Sequence, residues 1–207
     1  IRKHSASALN IGRDKAFEKF RKLGFPSSTV ENYKYSDFRE PLSVDYGLNI
    51  NRMKFPVNPY NVFKCDVPGI AAYLYFVVND AFYPVRTEIN NSLPEGVIIG
   101  SLRQVAEEHP ELVARYYGKL AEKQHDGFVA FNGAFAQDGF FIYVPKNVAL
   151  DRPVQIVNIM RSDVDFMANS HNLVIAEQGA KVQVLVCDHT ADDVRFFSNR
   201  VTEVFVA

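Results

Sequence analysis

The chain has 207 residues, 47% of them hydrophobic, which is enough to bury a core in one large or two small domains and too apolar for a disordered segment. Its 23 basic and 24 acidic residues leave a formal net charge of -1, and no apolar run nears a membrane span, so neither nucleic acid nor a membrane is an expected partner. Cys65 and Cys187 lie far apart with no C-x-x-C pair, which argues against a disulfide framework or an all-cysteine zinc site and fits reduced thiols in a cytoplasmic protein.

The opening "IRKHSASALNIGRDK" lacks the apolar stretch of a secretory signal, and His4 is expected in a frayed terminus. Ala16, Phe20 and Leu23, with Phe17 beside them, recur at helical spacing opposite Lys15, Glu18, Lys19 and Lys22, predicting a helix that Gly24 stops. Prolines 26, 41, 56, 59 and 68 then break the chain into irregular structure with short strands. "AAYLYFVVNDAFY" reads as a buried strand and turn, and "GVIIGS" as another strand. In "SLRQVAEEHPELVARYYGKLAEK", Ser101 and Gln104 have the spacing of a reciprocal capping box, and Pro110 suits the first position of a second helix with His109 before it. Arg115, Lys119 and Lys123 alone do not make that second helix a DNA reader, so two packed helices are expected. His125 marks the junction between domains 1–125 and 126–207, and no further amphipathic helix is expected after "HDGF".

Downstream a turn-and-strand motif recurs. "PVQIVNIM" at 153–160 matches "KVQVLVCD" twenty-eight residues on, and "FFIYVP" at 140–145 is echoed at 172–177 and 202–207. Alternate residues in these runs are apolar, the period of strands with one face on a core. A repeat near 30 residues made of short strands and turns predicts a β-solenoid, with a sandwich as the structural alternative. Ile142, Ile156, Ile175 and Val184 are expected to stack inside it, and "VTEVFVA" would leave Val204, Phe205 and Val206 on an open coil that self-associates end to end or aggregates.

The stretches "AFEKFRKLGFPSSTVENYKYSDF", "HPELVARYYGKLAEKQHDGFVAFNGAFAQDGFFIYVPKNVALDRPVQIVN", "HNLVIAEQGAKVQVLV" and "VTEVFV" resemble the SufB/SufD family of iron–sulfur cluster assembly proteins, and SufD more than SufB. Tyr33 stands where the family commonly has tryptophan and Ser36 where it has threonine, both mild changes. The resemblance implies an α+β N-terminal domain followed by the first coils of a right-handed, single-stranded parallel β-helix. It also implies a non-catalytic scaffold that pairs with a SufB-like paralogue and a SufC-like ATPase, the complex handling an iron–sulfur cluster and, through SufC, ATP. The family's cluster-site and SufC-docking positions have no counterpart in the 207 residues, so no catalytic, cofactor-binding or metal-ligating residue is assigned.

The residues themselves lead to the same assignment. Cys187 and His189 share one strand face opposite Val182, Val184 and Val186, and His171 precedes the matching strand. A metal site needs three or four converging groups, so these read as a surface thiol and a turn histidine. No phosphate loop, dinucleotide fingerprint or catalytic triad is present, and "AEQGAK" is a turn. The competing class is a β-solenoid polysaccharide enzyme or binding module, using Asp163, Asp165, Asp188, Asp192 and Asp193; their place between strands favours solvated turns.

Overall fold

The computed structural model describes residues 1–63, 71–83 and 92–207. Helix α1 (Arg13–Leu23) forms at the predicted spacing, and Gly24, at φ 64°, ends it by donating to the Phe20 carbonyl. The terminus around His4 is not frayed: Arg2–His4 and Ser7–Asn10 fold as 3-10 turns, and Ala6, Ala8 and Leu9 are buried. Between 24 and 63 the expected short strands are replaced by helical turns, a 3-10 turn at Glu31–Tyr33, α2 (Arg39–Leu42) and α3 (Pro59–Val62). Pro41 and Pro59 sit in first turns, where a missing N–H breaks no helix bond but could not feed a ladder. The rest of that stretch, with Cys65 and Pro68, lies outside the described residues.

β1 (Tyr73–Val78), a turn at Asn79 and Asp80, β2 (Ala81–Tyr83) and β3 (Ile98–Ser101) follow the sequence reading. So do α4 (Leu102–Glu108) and α5 (Pro110–Tyr116), joined at His109. Only half of the capping box forms. Ser101 Oγ accepts from the Gln104 N–H at 3.1 Å, whereas the Gln104 side chain turns away from Ser101 to Glu108 at 2.8 Å.

Contrary to the sequence reading, a helix does follow residue 125. α6 (Gly127–Phe135) was invisible as an amphipathic pattern because it is apolar nearly all round, packed between α1 and the sheets. Asp126 caps it by accepting from the Phe128 and Val129 amides, and Tyr33 O–H donates to the same carboxylate. At its other end the buried Arg13 guanidinium donates to the Ala134 and Ala136 carbonyls, at 2.6 and 2.9 Å, placing a cation at the negative pole of the helix. Phe20, Phe25, Phe128 and Phe131 interlock between the two helices.

β4 (Phe140–Val144), β5 (Val154–Met160), β6 (Phe166–Ala176), β7 (Val184–Thr190) and β8 (Phe196–Val206) complete two four-stranded sheets, ordered β2-β1-β5-β7 and β3-β4-β6-β8. The architecture is thus α+β with mixed sheets: β2 and β3 are antiparallel to their neighbours, and the other pairs are parallel. From β4 on, successive strands alternate between the sheets. Val154 pairs with Val184 and Phe166 with Phe196, an offset of 30 residues rather than the 28 of the sequence match. A shift of two keeps every side chain on its face, so the parity survives.

Ile142 and Ile156, with Val184 at their edge, pack between the sheets against Tyr75, Val144 and Val174. Ile175 does not join them. Ile142 stands opposite Val174, so Leu173 and Ile175 project outward onto Leu102, Val105 and Val113 of the helices. β6 is buried on both faces, and a strand with apolar residues at both parities does not disclose which parity points in. Phe205 is likewise covered, its ring 4.9 Å from Tyr116, while Val204 and Val206 are exposed.

Gly139 lies where β6 crosses closest: a Cβ there would stand 1.9 Å from the His171 carbonyl. Gly139→Ala is expected to lose about 3 kcal/mol or more, by forced displacement of a central strand. Gly100→Ala, with nothing within 4 Å of the added carbon, should stay within about 1 kcal/mol. Urea midpoints of the two variants check the contrast.

Candidate functional site

β6 and β8 lie side by side, and their outward faces carry His171 and Glu203, both essentially inaccessible to solvent. His171 Nε2 is 2.9 Å from Glu203 Oε1, and Nδ1 is 2.8 Å from Asn132 Oδ1 on α6. The turn after α5, opened by Gly118 at φ 77°, aims three amides at the same carboxylate: Gly118 at 2.5 Å, Leu120 at 2.6 Å and Ala121 at 2.9 Å. Burial pushes the Glu203 carboxyl up, but the hydrogen bond and charge of His171 and the Ala121 and Gly118 amides outweigh it and hold it below the usual range. Asn132 Nδ2 in turn donates to the Ser170 carbonyl at 2.8 Å.

His189, expected in a turn, lies within β7, and His171 does not precede its strand, as the sequence reading placed it, but lies five residues inside β6 at the centre of a buried network. Both ring nitrogens are committed, so it can bind a metal or take a substrate proton only by breaking a bond that holds the fold. The sequence did contain one signal for the pair: a glutamate in the apolar run "TEVFVA", at the parity of Leu173. The Tyr117 ring packs on the imidazole with centroids 4.5 Å apart and planes tilted by 49°, and beside it α1, α6 and the post-α5 turn line an open cavity of about 120 Å³.

A second buried group joins the N-terminal segment to the sheets. Arg52, at φ 57°, reaches Asp80 at 2.8 Å and Asp138 at 3.4 Å, all nearly inaccessible. Asp138 also accepts from Ser101 Oγ and the Arg103 amide, anchoring the start of α4. Burial, aided by Asp138 and opposed by Arg52, pushes Asp80 up to about 6.

Cys187 and His189 do share one face of β7, as their spacing predicts, but the structure does not bring His171 to them. Cys187 is partly buried against Phe76, Val157 and Ile159, and the His189 ring meets Phe63 edge-on at 6.2 Å. Among the described residues no group of three or more histidine, cysteine, aspartate or glutamate side chains converges as a metal site. Four of the five aspartates are paired with arginine: Asp163 and Asp192 with Arg161, Asp165 with Arg195, and Asp188 with Arg200. Among the described residues no helix is long and apolar enough to cross a membrane.

This is an α+β protein with mixed sheets, in which the parallel pairs β5–β7 and β6–β8 are each offset by 30 residues and the buried Asn169 and Asn199 join β6 to β8. The sequence model of the SufBD protein N-terminal region matches residues 1–156, and the chain belongs to the SufB/SufD family. It is 35% identical over 103 residues to an iron-sulfur cluster assembly SufBD family protein of Synechocystis sp., covering 49% of this chain and 21% of that one. With the iron-sulfur cluster assembly protein SufD of Bacillus subtilis it shares 34% over 101 residues, 48% of this chain and 23% of the relative. A chloroplastic SufBD family protein of Arabidopsis thaliana is 30% identical over 93 residues, 44% and 16% respectively. The chain thus spans about a fifth of the length of the curated relatives it matches.

The two carboxylates predict opposite pH limbs. Asp80, raised in the fold, gives stability that is complete below its ordinary 3.8 and lost as pH rises through about 6. Glu203, lowered, gives stability present above its ordinary 4.5 and lost as pH falls through its folded value. Denaturation midpoints should therefore peak near about pH 4, where the acid limb of Glu203 meets the start of the Asp80 decline, and Asp80→Asn should flatten the decline toward neutral pH. Glu203→Ala, which strands three amides and an imidazole, should cost about 3–5 kcal/mol.

Proposed function

We propose that this chain forms part of a non-catalytic scaffold subunit for iron–sulfur cluster assembly, of the SufD kind, in which the two sheets are the opening coils of a right-handed parallel β-helix. The observation that carries the reading is the 30-residue parallel register common to both sheets, in a chain of this family. Such a register lets each coil template the next, and the Asn169–Asn199 and Asn172–Thr202 hydrogen bonds both join β6 to β8 at that 30-residue step. In this reading the subunit works in the cytoplasm, pairs with a SufB-like paralogue, and acts with a SufC-like ATPase that supplies the ATP hydrolysis. The cluster is cargo of the complex.

A polysaccharide-cleaving solenoid would need unpaired carboxylates facing a groove, and the arginine pairing of Asp163, Asp165, Asp188 and Asp192 disfavours it. Affinity purification of the tagged full-length protein should recover an ATPase subunit and a paralogous chain in stoichiometric amounts. Recovery of the protein alone, with activity on a glycan, would reverse the conclusion. After anaerobic reconstitution the 207-residue chain by itself is expected to show no ATP hydrolysis and no stable cluster absorption. An absorption band abolished by Cys187→Ala would instead make that thiol a ligand.

A further inference from the structure

Residues 47–54 form a loop that is anchored at one end and held by a charge at the other. At its start Gly47 pairs with Phe166, and its amide donates to the Asp165 carbonyl at 2.9 Å. Asn49 brackets Met53, accepting from its amide at 2.7 Å and donating to its carbonyl at 2.8 Å, while Gln137 donates to the Ile50 carbonyl at 3.1 Å. Arg52 then turns inward from a left-handed backbone, φ 57°, which a residue with a side chain rarely adopts and which its contacts must hold.

Those contacts are poor ones for a buried cation. Arg52 Nη1 lies 2.8 Å from Asp80 Oδ2 without the alignment of a hydrogen bond, and Nη2 reaches the Asp80 carbonyl and Asp138 Oδ2 only at 3.4 Å. One guanidinium therefore serves two carboxylates. Asp138 has other donors in the Ser101 hydroxyl and the Arg103 amide, but Asp80 Oδ1 is buried with no partner among the described residues. The neighbouring cations do not help: the Arg103 guanidinium turns to Glu107, and that of Arg161 to Asp163 and Asp192. A buried oxygen without a donor is a poor seat for charge and a good one for a proton.

We propose that Asp80 is a proton-operated latch on this loop. With the proton on Asp80, Arg52 and Asp138 balance one another and the loop is held against the β1–β2 turn. When the proton leaves to solvent, the cluster carries one uncompensated negative charge, and the loop opens more often around its Gly47 anchor. The latch needs no cluster and no partner. Since burial raises Asp80, the hold is complete below its ordinary 3.8 and is lost as pH rises through about 6. Those two values cap the change in opening at about a hundredfold.

The test is amide hydrogen exchange of the 207-residue chain followed by NMR. The Arg52 and Met53 amides, both bonded within the loop, should lose about tenfold in protection between about pH 5 and about pH 7.5. They should exchange faster than the Ala130 amide of α6 at both, which marks the opening as local. Asp80→Asn, which keeps the shape and removes the titration, should make loop protection equal at the two pH values. If that variant does not fold, the wild-type chain decides: the Asp80 carboxyl carbon should titrate with a midpoint of about 6, in step with the loop amides. Loop protection constant within about twofold, a pH dependence that survives in Asp80→Asn, an Asp80 midpoint at its ordinary value, or loop amides no faster than Ala130 would each overturn the latch.

Discussion

A buried carboxylate must be given as many donors as it has lost water molecules, and Glu203 meets that constraint with three amides and an imidazole. The donors come from different parts of the chain. The amides belong to the turn after α5, and the imidazole to β6, itself held by Asn132 of α6. Two helices and two strands are therefore fixed in one relative position by a single side chain. None of these partners can move without leaving a charge unsatisfied in a dry interior.

The rest of the packing is consistent with that lock. α6 is short and apolar, so propensity alone would not hold it; Asp126 satisfies its first amides and Arg13 its last carbonyls. Gly127 lets the chain cross Gly24, since a Cβ there would be 1.8 Å from the Gly24 carbonyl oxygen. With α1 and α6 so joined, Phe20 and Phe131 are brought to 5.2 Å and the outward face of β6 is roofed. The buried arginines, Arg13 and Arg52, serve carbonyls and carboxylates of this framework rather than a bound substrate.

This use of polar groups bears on function. Where titratable side chains gather, as at His171 and Glu203 or at Arg52, Asp80 and Asp138, their hydrogen-bonding capacity is largely turned on one another and on the main chain. Such groups rigidify and specify a structure more than they perform chemistry. They hold β6, β8 and the helices over them in one fixed register.

How much of this was legible beforehand depended on whether a residue's role is local. The spacing of Ala16, Phe20 and Leu23, Pro110 at its helix start, and the 140, 172 and 202 strand echo are properties of neighbouring residues, and each was read correctly. Family membership was legible too, because it is carried by contiguous stretches such as the one from His109 to Asn158. α6 was missed because a helix buried all round has no polar face to mark its period. Ile175 was assigned to the wrong side because β6 is covered on both faces, and His171 was placed before its strand rather than inside it because nothing near it in sequence announces Asn132 or Glu203. Sequence by itself determined the elements with a local period, a strand repeat near 30 residues and the family. Only the tertiary structure decided which parity faces inward and which polar groups meet, since both follow from side chains separated by 30 to more than 100 residues along the chain.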